Sequence, residues 1–315
     1  MRPVNNNLEI GRKSREKKIK RRFILAFEGY RTEVQYFQGV SDNRPKLRIS
    51  SLIDVCPLNR DPQHSGLSDP ERVLELLEEY INFLKRGKYS ADLFINTFIS
   101  EIIKEKDIQD LGKKIDILIE KAKEKLRPIC DGDGYIEDPE KASEVCSDAY
   151  TEIFSPEKEV DFKAPEPMDY REERDIVCVI VDRDAELRGE DKCRRFFGRC
   201  EENKFRPIMT NPCFELWLLL HFDEALDGVD DKILLRNEKT DGVRYTERKL
   251  DEILRTIPAK EGKGYSKDDL DFYDFMDRTD NAIKNEKKFC KGKKCTITKV
   301  GSEIGSLIED MWRSD

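Results

Sequence analysis

Residues 175–181 (DIVCVIV) form an almost unbroken apolar run, mostly β-branched. A strand wetted on one face alternates polar and apolar side chains. A continuous run belongs to a strand covered on both faces, as in a parallel sheet held between helices. Residues 23–28 (FILAFE) read the same way, as a short buried strand that ends on a carboxylate. Further strand signals fall at 47–56 and 206–210, and helical signals at 30–37, 70–86, 92–126, 190–203 and 213–222. In 70–86, Val73, Leu77, Tyr80, Ile81 and Leu84 recur at helical spacing, and Pro70 suits the first turn. Residues 223–315 are mostly helical, broken at 262–265 and closed by a last helix at 295–312. Strands alternating with helices predict an α/β fold with a mainly parallel sheet flanked by helices. In such sheets ligands bind beyond the carboxyl ends of the strands.

Composition narrows the class. The chain has 315 residues, 37% hydrophobic and 39% charged. An average domain is about a quarter charged, yet 16 Phe and 10 Tyr provide for a core. No apolar run approaches the roughly 18 residues of a membrane helix, and the N-terminus lacks an apolar signal region. A cytoplasmic protein is therefore expected. The nine cysteines show no C-x-x-C spacing and the histidines are only two, His64 and His221. That argues against zinc knuckles and for reduced, structural thiols. The net charge of -8 hides two blocks: residues 11–22 hold eight basic side chains and one acidic, and residues 127–174 hold 15 Asp/Glu against 6 Lys/Arg. The basic arm reads either as a contact for phosphates or an acidic partner, or as a solvated tail. Pro128, Pro139, Pro156, Pro165 and Pro167 mark the acidic block as loop-rich.

Glu28 ends the first strand, and Asp182 and Asp184 end the later one. Residues two apart on a strand point the same way. Asp182 and Asp184 thus face one point, with Arg183 turned away. Three carboxylates at one sheet edge repel unless a divalent cation neutralises them, and hard oxygen donors suit Mg²⁺ or Mn²⁺. Such an ion polarises a phosphodiester and activates a water. Gly29 lets a substrate backbone approach the following helix N-terminus, itself an anion site. Taken singly, each motif also reads as an ordinary polar strand ending. Residues 131–138 (DGDGYIED) depart from a calcium loop at Tyr135, Ile136 and Ala142 and read as an acidic turn. There is no P-loop and no G-x-S-x-G elbow, and neither histidine has an evident catalytic partner.

Together the motifs resemble the Toprim domain of topoisomerases, primases and OLD-type nucleases. There, Glu-Gly ends the first strand and D-x-D a later one. The resemblance is closer to the RloB-like family, which includes the AbiLii abortive-infection proteins. It rests on residues 23–37 (FILAFEGYRTEVQYF), 179–184 (VIVDRD) and, most specifically, 211–222 (NPCFELWLLLHF). GYSK at 264–267 and TITKV at 296–300 are fainter marks. The resemblance implies a Toprim-like (Rossmann-like) core at 23–89 and 175–222. A basic arm at 1–22 precedes it, a helical and acidic insertion at 90–174 interrupts it, and a helical region at 223–315 follows.

The resemblance also implies an Mg²⁺- or Mn²⁺-dependent nuclease of anti-phage defence that cuts RNA, tRNA included, ahead of DNA. Such proteins accompany an ATPase partner, and a homo-oligomer is compatible with the family. By position, Glu28 would be a metal ligand or the general acid/base, and Asp182 and Asp184 would hold the metal. Glu215 is a further metal candidate, or simply offsets the helix dipole. Lys267 would offset transition-state charge on a phosphate. Gly29, Arg31 and Arg183 would contact nucleic acid, the two arginines being otherwise solvated. Asn211 with Pro212 reads as an N-cap and first-turn proline, and Trp217 with Leu218 to Leu220 as core. The alternative is a non-catalytic Toprim scaffold that docks on an ATPase, against which the three retained carboxylates weigh.

Overall fold

A computed structural model describes residues 2–3, 19–29, 31–59, 70–105, 112–154, 162, 168–183, 189–257, 263–289 and 296–313. The chain divides into two compact units. One comprises residues 3–59, 68–74 and 172–315, and the other residues 1–2, 60–67 and 75–171.

The strands are β1 (Arg2–Pro3), β2 (Arg21–Phe27), β3 (Ile53–Asn59), β4 (Asp175–Asp182), β5 (Arg206–Asn211), β6 (Lys239–Thr240), β7 (Val243–Arg244) and β8 (Gly301–Ser302). The main sheet runs β1-β3-β2-β4-β5-β8, and β6 and β7 form a separate antiparallel hairpin. β2 lies parallel to both β3 and β4, and β4 parallel to β5; β8 is antiparallel to β5. The two apolar runs are thus neighbours, with Leu25 opposite Cys178 and Phe27 opposite Ile180. Every β2 residue after Arg21 is buried, and β4 is buried at all but Ile176 and Asp182. A mainly parallel sheet flanked by helices, with this strand order, is Rossmann-like.

The helices in this unit are α1 (Thr32–Asp42), the start of α2 (Pro70–Arg86), α6 (Glu190–Glu202), α7 (Phe214–Leu219), α8 (Asp231–Arg236), α9 (Tyr245–Arg255), α10 (Tyr273–Met276), α11 (Thr279–Glu286) and α12 (Ile304–Arg313). One face of the sheet packs Phe23, Leu25 and Phe27 with Tyr36 and Phe37 of α1, Trp217 of α7 and Met311 of α12. The other unit holds the rest of α2, α3 (Ala91–Glu105), α4 (Gly112–Leu126) and α5 (Pro139–Phe154). Residues 75–89 therefore cluster with the helical segment rather than with the sheet, and 223–315 with the sheet.

Four local expectations are corrected. The strand expected at 47–56 begins only at Ile53. Arg48 has φ 60° and residues 43–48 turn, so Leu47 and Ile49 reach the core without pairing. The acidic block is not loop throughout, because α5 occupies 139–154. Pro139 stands at its start, where the missing amide costs nothing, and Asp138 Oδ1 accepts the Glu140 and Lys141 amides at 3.1 and 3.0 Å. Ala142, Cys146, Ala149 and Tyr150 then bury one helical stripe. Asn211 and Pro212 do not start α7. Asn211 is the last residue of β5, the Asn211–Pro212 peptide is cis, and Cys213 is the N-cap. The helix expected at 295–312 starts at Ile304, because Gly301 and Ser302 extend the sheet opposite Asn211 and Thr210. No described helix is long and apolar enough to cross a membrane.

Trp217 is fully buried in the sheet's core. Trp217→Ala is expected to lower the unfolding free energy by about 3–5 kcal/mol in urea melts. A second test concerns the start of α12. Glu286 accepts the Gly305 amide at 2.6 Å and the Ser306 amide at 3.2 Å. Burial pushes its carboxyl up to about 7, against the pull of those amides. A carboxyl raised in the folded state contributes full stability below its unfolded range, and that contribution is lost as pH rises to about 7. Glu286→Gln is expected to flatten the decline of unfolding free energy between about pH 5 and 8, by up to about 3 kcal/mol.

Candidate functional site

β2 has β3 on one side and β4 on the other. The chain leaves β2 in one direction and returns for β4 in the opposite one. The carboxyl ends of β2 and β4 therefore flank a topological switch point, where sheets of this kind leave a crevice. Glu28 directly follows β2, and Asp182 is the last residue of β4. The Glu28 amide donates to the Ile180 carbonyl at 2.9 Å, and the Asp182 amide donates to Glu28 Oε2 at 3.0 Å. Glu28 is only 6% exposed. A carboxylate so buried needs donors, and the neighbouring strand supplies one from its backbone. Sequence and structure thus agree in bringing Glu28 and Asp182 together. Asp184 and residues 4–18 of the basic arm lie outside the described residues.

Arg183 is turned away from the pair. Its amide donates to the Thr210 carbonyl at 2.8 Å and its Nε to the Ile297 carbonyl at 3.0 Å. Thr210 stands opposite Asp182 in the β4–β5 register. Its Oγ1 is buried and has no hydrogen-bond partner among the described residues.

The N-terminus of α1 is closed by the segment around GYSK. Thr32 Oγ1 lies 3.2 Å from the Tyr265 hydroxyl and 3.4 Å from the Lys267 carbonyl. Gln35 Nε2 donates to the Asp268 carbonyl, Gln35 Oε1 accepts the Leu270 amide, and Arg31 pairs with Asp268. A Cβ at Gly29 would meet the Glu33 carboxylate, the flexible end of a side chain.

Glu215, in the first turn of α7, is 5% exposed. The Tyr265 hydroxyl donates to its Oε1 at 3.0 Å. Lys267 Nζ lies 3.2 Å from the same oxygen and 2.8 Å from Glu247 Oε1. Burial alone would push the Glu215 carboxyl up, but the Lys267 ammonium together with hydrogen bonds from Cys213 and the backbone outweighs it and holds the group below its ordinary range. Lys267 is pulled down by burial and lifted further by Glu215 and Glu247, ending above its ordinary value. Burial raises the Cys213 thiol well above its ordinary value, and the charges of Glu215 and Asp182 add to the rise. Cys213 is thus no thiolate nucleophile, and both carboxylates lie within its field.

Among the described residues, no group of three or more His, Cys, Asp or Glu side chains gathers closely enough to cage a metal. Two hard oxygen donors, Glu28 and Asp182, are nevertheless held at adjoining strand ends. The unsatisfied Thr210 hydroxyl lies opposite one of them. That donor set suits a hard divalent cation such as Mg²⁺ or Mn²⁺. Glu215 carries its counter-charge already, as does Lys267. His221 is a core residue: Tyr36 lies 3.2 Å from its Nε2, and burial drives its pKa down to about 3, leaving it neutral. Thr210, Glu33, Tyr265 and Glu247 were not singled out by the sequence. Tyr265 carried a signal as part of GYSK, and Glu33 as part of the 23–37 motif.

Removing Lys267 leaves a buried carboxylate with neutral donors, the Tyr265 hydroxyl among them. Because the lysine is half exposed, Lys267→Met is expected to cost about 1–3 kcal/mol in chemical melts. In a Glu215→Gln background the same change should cost markedly less, and the double-mutant cycle reads the coupling.

The comparisons with known proteins bear on the chain as a whole. No curated protein and no solved structure matches it. A family model described as RloB-like protein matches residues 23–311, from the first core strand into α12. With nearly its whole length matched, and with the Glu28 and Asp182 strand ends inside the match, the chain belongs to the RloB-like family.

Proposed function

We propose that this protein is a metal-dependent nuclease that hydrolyses phosphodiesters of nucleic acid, RNA ahead of DNA, in anti-phage defence. The observation that carries the reading is the hydrogen bond from the Asp182 amide to Glu28, which fixes the Glu28 carboxylate beside the carboxyl end of β4 at the switch point. Bound Mg²⁺ or Mn²⁺ would polarise the phosphodiester and lower the pKa of a water. Glu28 and Asp182 would hold the cation, with Asp184 as the further ligand implied by the D-x-D pattern. Glu28, buried and fixed by a backbone donor, would keep its carboxylate aimed without reorganisation during the reaction. The preference for RNA and the defence role rest on likeness to other Toprim effectors.

One observation favours the alternative, a non-catalytic module that docks on an ATPase. Lys267 and Arg31, proposed to meet phosphates, are both committed to carboxylates of the chain.

Cleavage of labelled total RNA, single-stranded DNA and plasmid DNA decides between them, with Mg²⁺, Mn²⁺ or EDTA. Glu28→Gln keeps an oxygen that can accept the Asp182 amide, and Asp182→Asn keeps that amide, so both variants are expected to fold. Metal-dependent cutting is expected in wild type, with a loss of at least about a hundredfold in each variant. No cutting by wild type, with the ATPase partner present, overturns the nuclease reading.

A further inference from the structure

Asp182 closes β4, and Thr210 lies opposite it on β5. Opposed residues of neighbouring strands share a face of the sheet, across a gap of about 4.8 Å. Ile180 and Ile208, the opposed pair two residues earlier, belong to the core that holds Trp217. Packing therefore fixes the face, and Thr210 and Asp182 stand on the same side as Ile180 and Ile208. Thr210 is fully buried there, and its Oγ1 has no hydrogen-bond partner among the described residues.

A hydroxyl in such a place is costly. Buried polar groups are nearly always paired, and one left unpaired gives up its hydration for nothing. Valine has the same branched shape, suits a strand equally well and buries no polar atom. The flanking polar side chains have structural tasks. Ser302, opposite Thr210 on the other edge of β5, accepts the Ile304 amide on its hydroxyl at 3.2 Å. Asn211 Nδ2 donates to the Thr296 carbonyl at 2.8 Å. The carboxylate across the strand gap on the same face is that of Asp182. Carboxylates that hold a metal are themselves oriented by hydrogen-bond donors. Glu28 has such a donor in the Asp182 amide, and Thr210 offers one to Asp182.

We propose that Thr210 is a positioning residue of the carboxylate site, its hydroxyl donating to the Asp182 carboxylate when that group holds a divalent cation. This deepens the metal-dependent reading and rests on it. A hydroxyl that finds its acceptor only when Asp182 bears a cation converts its own burial cost into cation affinity. Such a residue has a two-sided signature. Removing its hydroxyl strengthens the fold in a chelator and weakens the hold on the cation.

The test pairs thermal melts in EDTA with Mn²⁺ titrations of the full chain, free Mn²⁺ being read by electron paramagnetic resonance. Thr210→Val keeps the shape and removes the hydroxyl. It is expected to raise the melting temperature in EDTA by about 2–4 °C. Its Mn²⁺ affinity is expected to fall about tenfold. Thr210→Ser keeps the hydroxyl and loses a methyl, and is expected to melt lower yet hold Mn²⁺ within about twofold of wild type. A residue that only packs would move the melting temperature and leave the affinity alone. The proposal is overturned if Thr210→Val takes up Mn²⁺ like wild type, or if Thr210→Ser loses as much affinity as Thr210→Val. Asp182→Asn separates the positioning role from the wider reading. Uptake that Asp182→Asn abolishes and Thr210→Val leaves unchanged defeats the positioning role alone. No uptake by wild type, or uptake that Asp182→Asn leaves untouched, defeats the metal-dependent reading and the positioning role with it.

Discussion

The pairing of β2 with β4 is the constraint on which the rest depends. Parallel strands far apart in sequence must be brought into one register, and here both are buried almost throughout. A slip of one residue would turn Phe23, Leu25 and Phe27 out of the core they share with Cys178 and Ile180. The register is therefore fixed by packing, not by the residues at the strand ends. Glu28 inherits its place from it. Once Phe27 lies opposite Ile180, the Glu28 amide meets the Ile180 carbonyl and its carboxylate meets the Asp182 amide. The core carries the cost of placing an acid where it is almost inaccessible to water.

The acids of this region are satisfied by two different means. Glu28 is served by a backbone donor, the Asp182 amide. Glu215 is served by Lys267, with Tyr265 adding a neutral donor. Physically these are unequal. A backbone amide stabilises a carboxylate without cancelling its charge, whereas an ammonium 3.2 Å away cancels it. The charges of Glu215 and Lys267 are thus committed to one another within the chain.

The sequence was legible where a signal was continuous and local. The apolar runs at 23–27 and 175–181 announced the central strands, and the carboxylates ending them announced the switch point. Pro70 announced α2, which spans the expected residues 70–86. Elements that depend on distant partners were illegible. β8 is two residues long and exists only because β5 offers an edge. The Glu215–Lys267 pair joins residues from separate elements, and no spacing rule connects them. α5 was hidden by proline content, although Pro139 is a helix-starting residue once Asp138 caps it. The hairpin's Asp-Gly turn is a strong signal that flanking strands of only two residues failed to support.

Chain length between β3 and β4 follows from the same topology. Parallel strands need a crossover, and a crossover can lengthen without disturbing the register of the strands it joins. The helical unit occupies that connection, with α2 beginning it. It brings its own aromatic core: Phe83 and Tyr89 lie 4.1 Å apart, Tyr89 and Phe94 5.3 Å, and Phe94 and Phe162 5.6 Å. A unit with its own buried ladder makes few demands on the sheet for stability. The β3–β4 crossover is thus where this fold takes on a second compact unit.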